Sequence, residues 1–188
     1  MRQKPTVLAR EIVASSRLFR VEEVQLRFAN GVERTYERLV NRGSGYGAVM
    51  VVALVDSEHA LLVEEYCVGT DNYQVSLPKG LIEPGEDVLL AANRELKEEA
   101  GFGARQLEHV TELTLSPGYM TQKIQVVLAS DLYPESLPGD EPEPLRVDRI
   151  NLRELSSLVQ QEQFSEGRAL AALYLVRDLL IQRGAFAL

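Results

Sequence analysis

A single cysteine, Cys67, leaves this chain without an internal disulfide. Its expected role is to fill space in a strand. No stretch approaches the apolar length of a membrane-spanning helix. The opening Met-Arg-Gln-Lys-Pro-Thr has no apolar run behind it, so no secretory signal is expected and a cytoplasmic location follows by default. Positive charge is in deficit: 20 Lys and Arg face 28 Asp and Glu, for a net charge of −8. A general nucleic-acid binder would carry a basic face, so that class is excluded. Nucleotides are not, because a bound metal ion inverts the local sign.

What the chain does have is a normal core composition, 45% hydrophobic in 188 residues. That suits one main domain with an extension. Residues 1–44 read as an antiparallel β extension. Val24, Leu26 and Phe28 alternate with polar residues, Ala29-Asn30-Gly31 marks a hairpin, and Val32 to Leu39 returns. Such a hairpin has little core of its own and must pack on the rest of the chain or on a second subunit.

Residues 45–188 read as the main domain. Ala48 to Val55 and Ala60 to Val68 are apolar strands separated by Asp56-Ser57-Glu58, and Leu107 to Leu115 and Lys123 to Leu128 are further strands. Leu152 to Gln160 reads as a short helix and Glu166 to Gln182 as a long one with a broad apolar face. Strands interrupted by one central helix predict an α+β fold with a mixed sheet. Four of the eight prolines fall between Pro134 and Pro144 among acidic residues, which predicts an exposed loop over 131–147.

The central helix is the most informative element. Gly80, Pro84 and Gly85 punctuate the approach to it, and Gly101 stops it. Between Asp87 and Ala100 there is no Gly or Pro, and strong helix formers dominate. Glu86 and Asp87 are expected in the first turn, where the helix dipole favours negative charge. Glu95, Glu98 and Glu99 are spaced three and four apart, so they share one side. Leu89, Ala92 and Leu96 form the neighbouring apolar stripe. Carboxylates crowded at the edge of a buried face repel one another. Hard divalent cations relieve that repulsion, and oxygen ligands suit Mg²⁺ and Mn²⁺. Arg94 can reach Glu98 one turn on and hold it in place. Lys97 lacks the carboxylate one turn earlier that a solvated ion-pair helix would offer, because Asn93 stands there.

The run Gly80, five residues, Glu86, seven residues, then Arg94-Glu95-Leu96-x-Glu98-Glu99-x-Gly101-Phe102 resembles the signature of the Nudix hydrolases at every fixed position. Chance odds of that match are on the order of 10⁻⁷. Flanking phrases resemble the ADP-ribose pyrophosphatase branch: Ser16-Arg17-Leu18-Phe19, Tyr36-Glu37-Arg38, Lys79-Gly80-Leu81, and Pro117, which follows Phe102 by 15 residues. Two departures stand out. Ser76-Leu77-Pro78-Lys79-Gly80 replaces the branch's Glu-Leu-Pro-Ala-Gly, and Cys67 follows Tyr66 where many members have arginine.

The resemblance implies an α/β/α sandwich and hydrolysis of the pyrophosphate in ADP compounds. It implies two or three Mg²⁺ (or Mn²⁺) held by Glu95, Glu98 and Glu99 with the backbone carbonyl of Lys79, and less directly by Glu86. It implies a homodimer joined through the N-terminal strands. The general base remains open among Glu98, Glu99, Glu141 and Glu143. Arg38 and Arg42 are candidate substrate cations, and Tyr66 and Tyr119 candidate adenine-stacking rings or packing residues. A nucleotide sugar such as GDP-mannose is an alternative substrate, and a non-catalytic ADP-ribose sensor an alternative role.

Overall fold

The computed structural model describes residues 2–40 and 47–185. The chain divides into two compact units, Met1–Gly45 with Thr114–Lys123, and Tyr46–Leu113 with Ile124–Leu188.

The first unit holds an antiparallel sheet of β1 (Thr6–Ser15), β2 (Arg20–Arg27) and β3 (Glu33–Val40), in that order. The expected hairpin lies between β2 and β3, with Arg27 opposite Glu33. Gly31 takes φ 80°, and the Asn30 side chain accepts from the Val32 N–H at 3.1 Å. That conformation suits glycine, and the Asn side chain closes the turn. β1 was not anticipated. Its ten residues are all exposed and show no alternation of burial, so no periodicity marked them. Tyr119 joins the same unit: its carbonyl accepts from the Leu39 N–H at 2.7 Å.

The second unit is built on a mixed sheet. β7 (Lys79–Leu81), β4 (Ala48–Ala53), β9 (Lys123–Pro134) and β8 (Phe102–Thr114) lie in that order. β4 runs parallel to β9 and antiparallel to β7. All six β4 residues are buried, as a strand covered on both faces requires. Val49, Val51 and Ala53 pack with Ala91, Ala92 and Leu96 of α1 (Val88–Ala100). Met50 and Val52 pack on the other side with Ala172, Leu173 and Val176 of α3 (Gly167–Gln182). The sheet is therefore covered by helices on both faces, the α/β/α arrangement anticipated above.

A second sheet, β10 (Arg146–Asn151), β5 (His59–Cys67) and β6 (Asn72–Ser76), completes the unit. A 3₁₀ turn at Leu152–Glu154 and the four-residue α2 (Leu155–Leu158) lead toward α3. The loop expected over 131–147 is shorter than that. β9 continues to Pro134 and β10 begins at Arg146, because a polar strand such as Arg-Val-Asp-Arg-Ile-Asn is held by pairing with β5 and not by its own burial. Among the described residues, no helix is long and apolar enough to cross a membrane.

Candidate active site

The approach to α1 folds back on itself. Gly85 takes φ 84°, and Glu86 closes the turn through backbone and side chain: its N–H donates to the Glu83 carbonyl (3.0 Å), and its carboxylate accepts from the Glu83 N–H (2.9 Å). Asp87 is the N-cap, extended at φ −72° and ψ 143°, and its carboxylate accepts from the Leu89 and Leu90 N–H groups. A capping residue must lie outside the helix to do this. The first turn therefore begins at Val88 and carries no acidic residue, contrary to the placement of Glu86 and Asp87 expected from sequence. Gly101 ends the helix in the left-handed region at φ 73°.

Freed from the helix, Glu86 meets Arg94. Arg94 is the hub of the site. Its Nε and Nη2 donate to the two Glu86 oxygens at 2.9 Å each. Nη1 donates to Glu95 at 2.7 Å and to Glu98 at 2.9 Å, while Nη2 also reaches the Leu81 carbonyl at 2.8 Å. The five donors of a guanidinium suit this role. Sequence spacing anticipated the Glu98 contact alone. The Arg94 hydrogen bonds hold Glu86 below the usual carboxylate range.

The other carboxylates face the opposite problem. Glu95 and Glu99 are 7% and 8% exposed, on the edge of the helix face that carries Ala92 and Leu96. Burial raises the Glu95 carboxyl despite the Arg94 bond, and the charges of Glu98 and Glu141 push it further. Burial pushes Glu99 up to about 8; the Lys79 charge and N–H oppose this, while Glu95 and Glu141 add to it. The Lys79 N–H donates to Glu99 at 2.9 Å, and its Nζ donates to Glu65 at 2.7 Å. Burial works against the Lys79 charge, but Glu99 and Glu65 outweigh it and hold the ammonium above its ordinary pKa.

Two glycines make room. A Cβ on Gly80 would collide with the Glu95 carboxylate, and one on Gly139 would collide with the carboxylate of Glu141. Glu141 is the half-buried residue in an otherwise exposed stretch from Pro134 to Pro144.

These residues suit a divalent cation by their chemistry. Glu95, Glu98, Glu99 and Glu141 are hard oxygen donors; burial makes Glu95 and Glu99 resist ionising, and a dication offsets that cost. As the side chains stand, no group of three such donors among the described residues converges on one point, and Arg94 lies among Glu86, Glu95 and Glu98.

The remaining candidates make other partnerships or belong to the first unit. Glu143 accepts from the Tyr73 hydroxyl at 2.5 Å instead of turning to the α1 carboxylates with Glu141. Tyr66 donates to Asp71 at 2.5 Å and packs edge-on against Tyr73, with ring centroids 5.6 Å apart. Arg38 is paired with Glu22 at 2.6 Å. Pro117 and Tyr119 belong to the first unit, and the Tyr119 side chain is exposed. Arg42 lies outside the described residues. Two partnerships were missed. Lys97 does have a carboxylate partner, Glu135 at 2.8 Å, and Asn93 accepts from the Ala104 N–H at 2.8 Å. Neither is a helix-periodic pair, so spacing alone could not find it.

A mixed sheet between two helices, one of which carries this acidic cluster, defines a Nudix hydrolase. The description of the NUDIX domain matches residues 46–173, and that of the NudE-type Nudix hydrolase N-terminal domain matches residues 5–38. The chain belongs to the Nudix hydrolase family. It is 52% identical over 182 residues to the ADP compounds hydrolase NudE of Escherichia coli K12, covering 97% of this chain and 96% of the relative. It is 30% identical over 129 residues to an ADP-ribose pyrophosphatase of Bacillus subtilis, covering 68% and 70%. A crystal structure of an ADP compounds hydrolase superposes with a TM-score of 0.90 at 50% identity, covering 99% of both chains.

Proposed function

We propose that this enzyme hydrolyses the pyrophosphate bond of ADP compounds and releases AMP, with ADP-ribose, NADH and short diadenosine polyphosphates as substrates. The observation that carries this reading is the end-to-end similarity to an ADP compounds hydrolase, N-terminal region included, together with an intact set of box glutamates.

Glu95, Glu98 and Glu99, with the Lys79 backbone, would hold two or three Mg²⁺ or Mn²⁺ ions. Bound metal polarises the phosphoryl oxygens and lowers the pKa of an attacking water. The chain's own groups do the rest. Arg94 fixes Glu86, Glu95 and Glu98 in one arrangement. Glu141 is the favoured general base, because its charge acts on both Glu95 and Glu99 while Glu143 is engaged by Tyr73. A base in this role takes the proton of the attacking water. Residues 1–44 would form a dimer-building extension and 45–188 the catalytic domain. In support, Val7, Leu8, Ile12 and Val13 of β1 are all exposed, and a second copy of the chain would cover them.

The test is a panel of ADP-ribose, NADH, diadenosine triphosphate and GDP-mannose, incubated with Mg²⁺ and followed for nucleoside monophosphate. AMP release from the first three is the expected result. GMP release alone would assign a nucleotide sugar, and binding without turnover would assign a sensor.

A further inference from the structure

We infer that Lys97 is a positioning residue: its ion pair with Glu135 sets the start of the Pro-rich segment so that Glu141 faces the α1 carboxylates. The inference rests on Glu141 being the general base, as proposed above.

The geometry joins this segment to the end of the helix that bears the acidic cluster. A helix leaves its last carbonyls without internal partners. Here the loop supplies two. The Leu137 N–H donates to the Lys97 carbonyl at 3.2 Å, and the Glu135 N–H donates to the Gly101 carbonyl at 3.1 Å. The Lys97 ammonium then closes on Glu135 at 2.8 Å. It also stands 5.9 Å from the centre of the Tyr133 ring, whose second cation is the Arg105 guanidinium at 4.9 Å. The Tyr133 ring lies where a Cβ on Gly103 would be. Further along, a Cβ on Gly139 would sit 3.7 Å from the Glu98 carbonyl. The segment is thus held against the end of α1 from Tyr133 to Gly139, two residues before Glu141.

Those ties matter because, between them and the Tyr73–Glu143 hydrogen bond beyond Glu141, the segment is open to solvent. Glu135, Ser136, Leu137, Pro138, Gly139 and Asp140 are all exposed. Pro138 restricts φ on the way in and Pro142 restricts the backbone of Glu141 just before it, so a fixed entry carries its direction forward to Glu141. The Lys97 side chain is 17% exposed but Glu135 is open to solvent at 43%, which limits what the pair adds to stability. Its loss therefore acts on the placement of Glu141 and not on the fold. Misplacing a reacting group by about 1 Å can cost on the order of 10²-fold in rate.

The experiment compares Lys97→Met, Glu135→Gln, Glu141→Gln, the charge swap Lys97→Glu with Glu135→Lys, and the double variant Lys97→Met with Glu141→Gln. Steady-state kinetics on ADP-ribose with saturating Mg²⁺ are read beside thermal midpoints. Glu141→Gln is expected to lower kcat by roughly 10²–10⁴-fold. Lys97→Met and Glu135→Gln each lower kcat by about tenfold, with KM and thermal midpoint little changed. The charge swap restores most of that loss. On the Glu141→Gln background, Lys97→Met adds no further loss, since both act through one group. Near-normal turnover in Glu141→Gln removes the base assignment and with it this inference. A large loss in Glu141→Gln overturns the positioning role alone if Lys97→Met is silent, if its loss adds in full, or if the swap fails to rescue.

Discussion

The backbone N–H of Lys79 donates to the carboxylate of Glu99 at 2.9 Å, tying β7 to the acidic face of α1. That bond partly offsets the burial of Glu99 but does not cancel it, and the carboxyl stays raised to about 8. A carboxyl raised in the folded state binds its proton more tightly there than in the unfolded chain. Its stabilising contribution is complete below the unfolded value near 4.5 and is lost as pH rises toward about 8. Glu95, raised in the same direction, adds to the effect. In EDTA, urea unfolding midpoints are expected to fall between pH 5 and pH 8.5. Glu99→Gln flattens that slope, and a slope unchanged in this variant would remove Glu99 as its source.

Metal binding and pH are linked through the same groups. Protons must leave Glu95 and Glu99 for an ion to bind, so Mg²⁺ affinity is expected to rise with pH up to about 8. Calorimetry in buffers of different ionisation enthalpy would register the released protons. Binding without proton release at pH 6.5 would contradict the assignment of these ligands.

Gly80→Ala acts on the site more than on the fold. The new methyl would strike the Glu95 carboxylate, the end of a side chain that can move aside. Stability should fall by no more than about 1–3 kcal/mol, the cost of overpacking beside a buried side chain that can shift. Metal affinity is expected to fall by roughly 10–100-fold, the effect of displacing the support of a ligand set. A Mg²⁺ titration of activity measures it.

Asn93→Ala should do the reverse. The Asn93 side chain is the partner of the Ala104 N–H, and Ala104 is 5% exposed. Leaving that amide unsatisfied costs about 1–3 kcal/mol. Chemical denaturation is expected to show that loss, with kcat per folded molecule close to normal.

The acidic helix was legible in the sequence because local rules set it: helix formers, a glycine stop, and carboxylates at helical spacing. β4 and β5 were legible as apolar runs. What escaped notice depends on distant partners. β10 is polar and exists by pairing with β5. β7 is three residues long and contains Gly80, yet it sets Lys79 against Glu99. Glu86 was misplaced because composition marks a helix start only approximately, whereas the cap at Asp87 fixes it. Lys97 looked unpaired because its carboxylate arrives from Glu135, beyond two strands. Glu141 and Glu143 are two residues apart and chemically alike; only the fold separates one toward α1 and the other toward Tyr73.

The central claim is that the α1 carboxylates carry the hydrolysis of ADP compounds. Phosphorus NMR of ADP-ribose with Mg²⁺, run with the unaltered chain and with Glu98→Gln, tests it most directly. The unaltered chain is expected to yield AMP and ribose 5-phosphate, and Glu98→Gln, short of one metal-holding carboxylate, to lose most of its rate while keeping its fold. Intact ADP-ribose after prolonged incubation with the unaltered chain, or near-normal hydrolysis by a folded Glu98→Gln, would contradict the account.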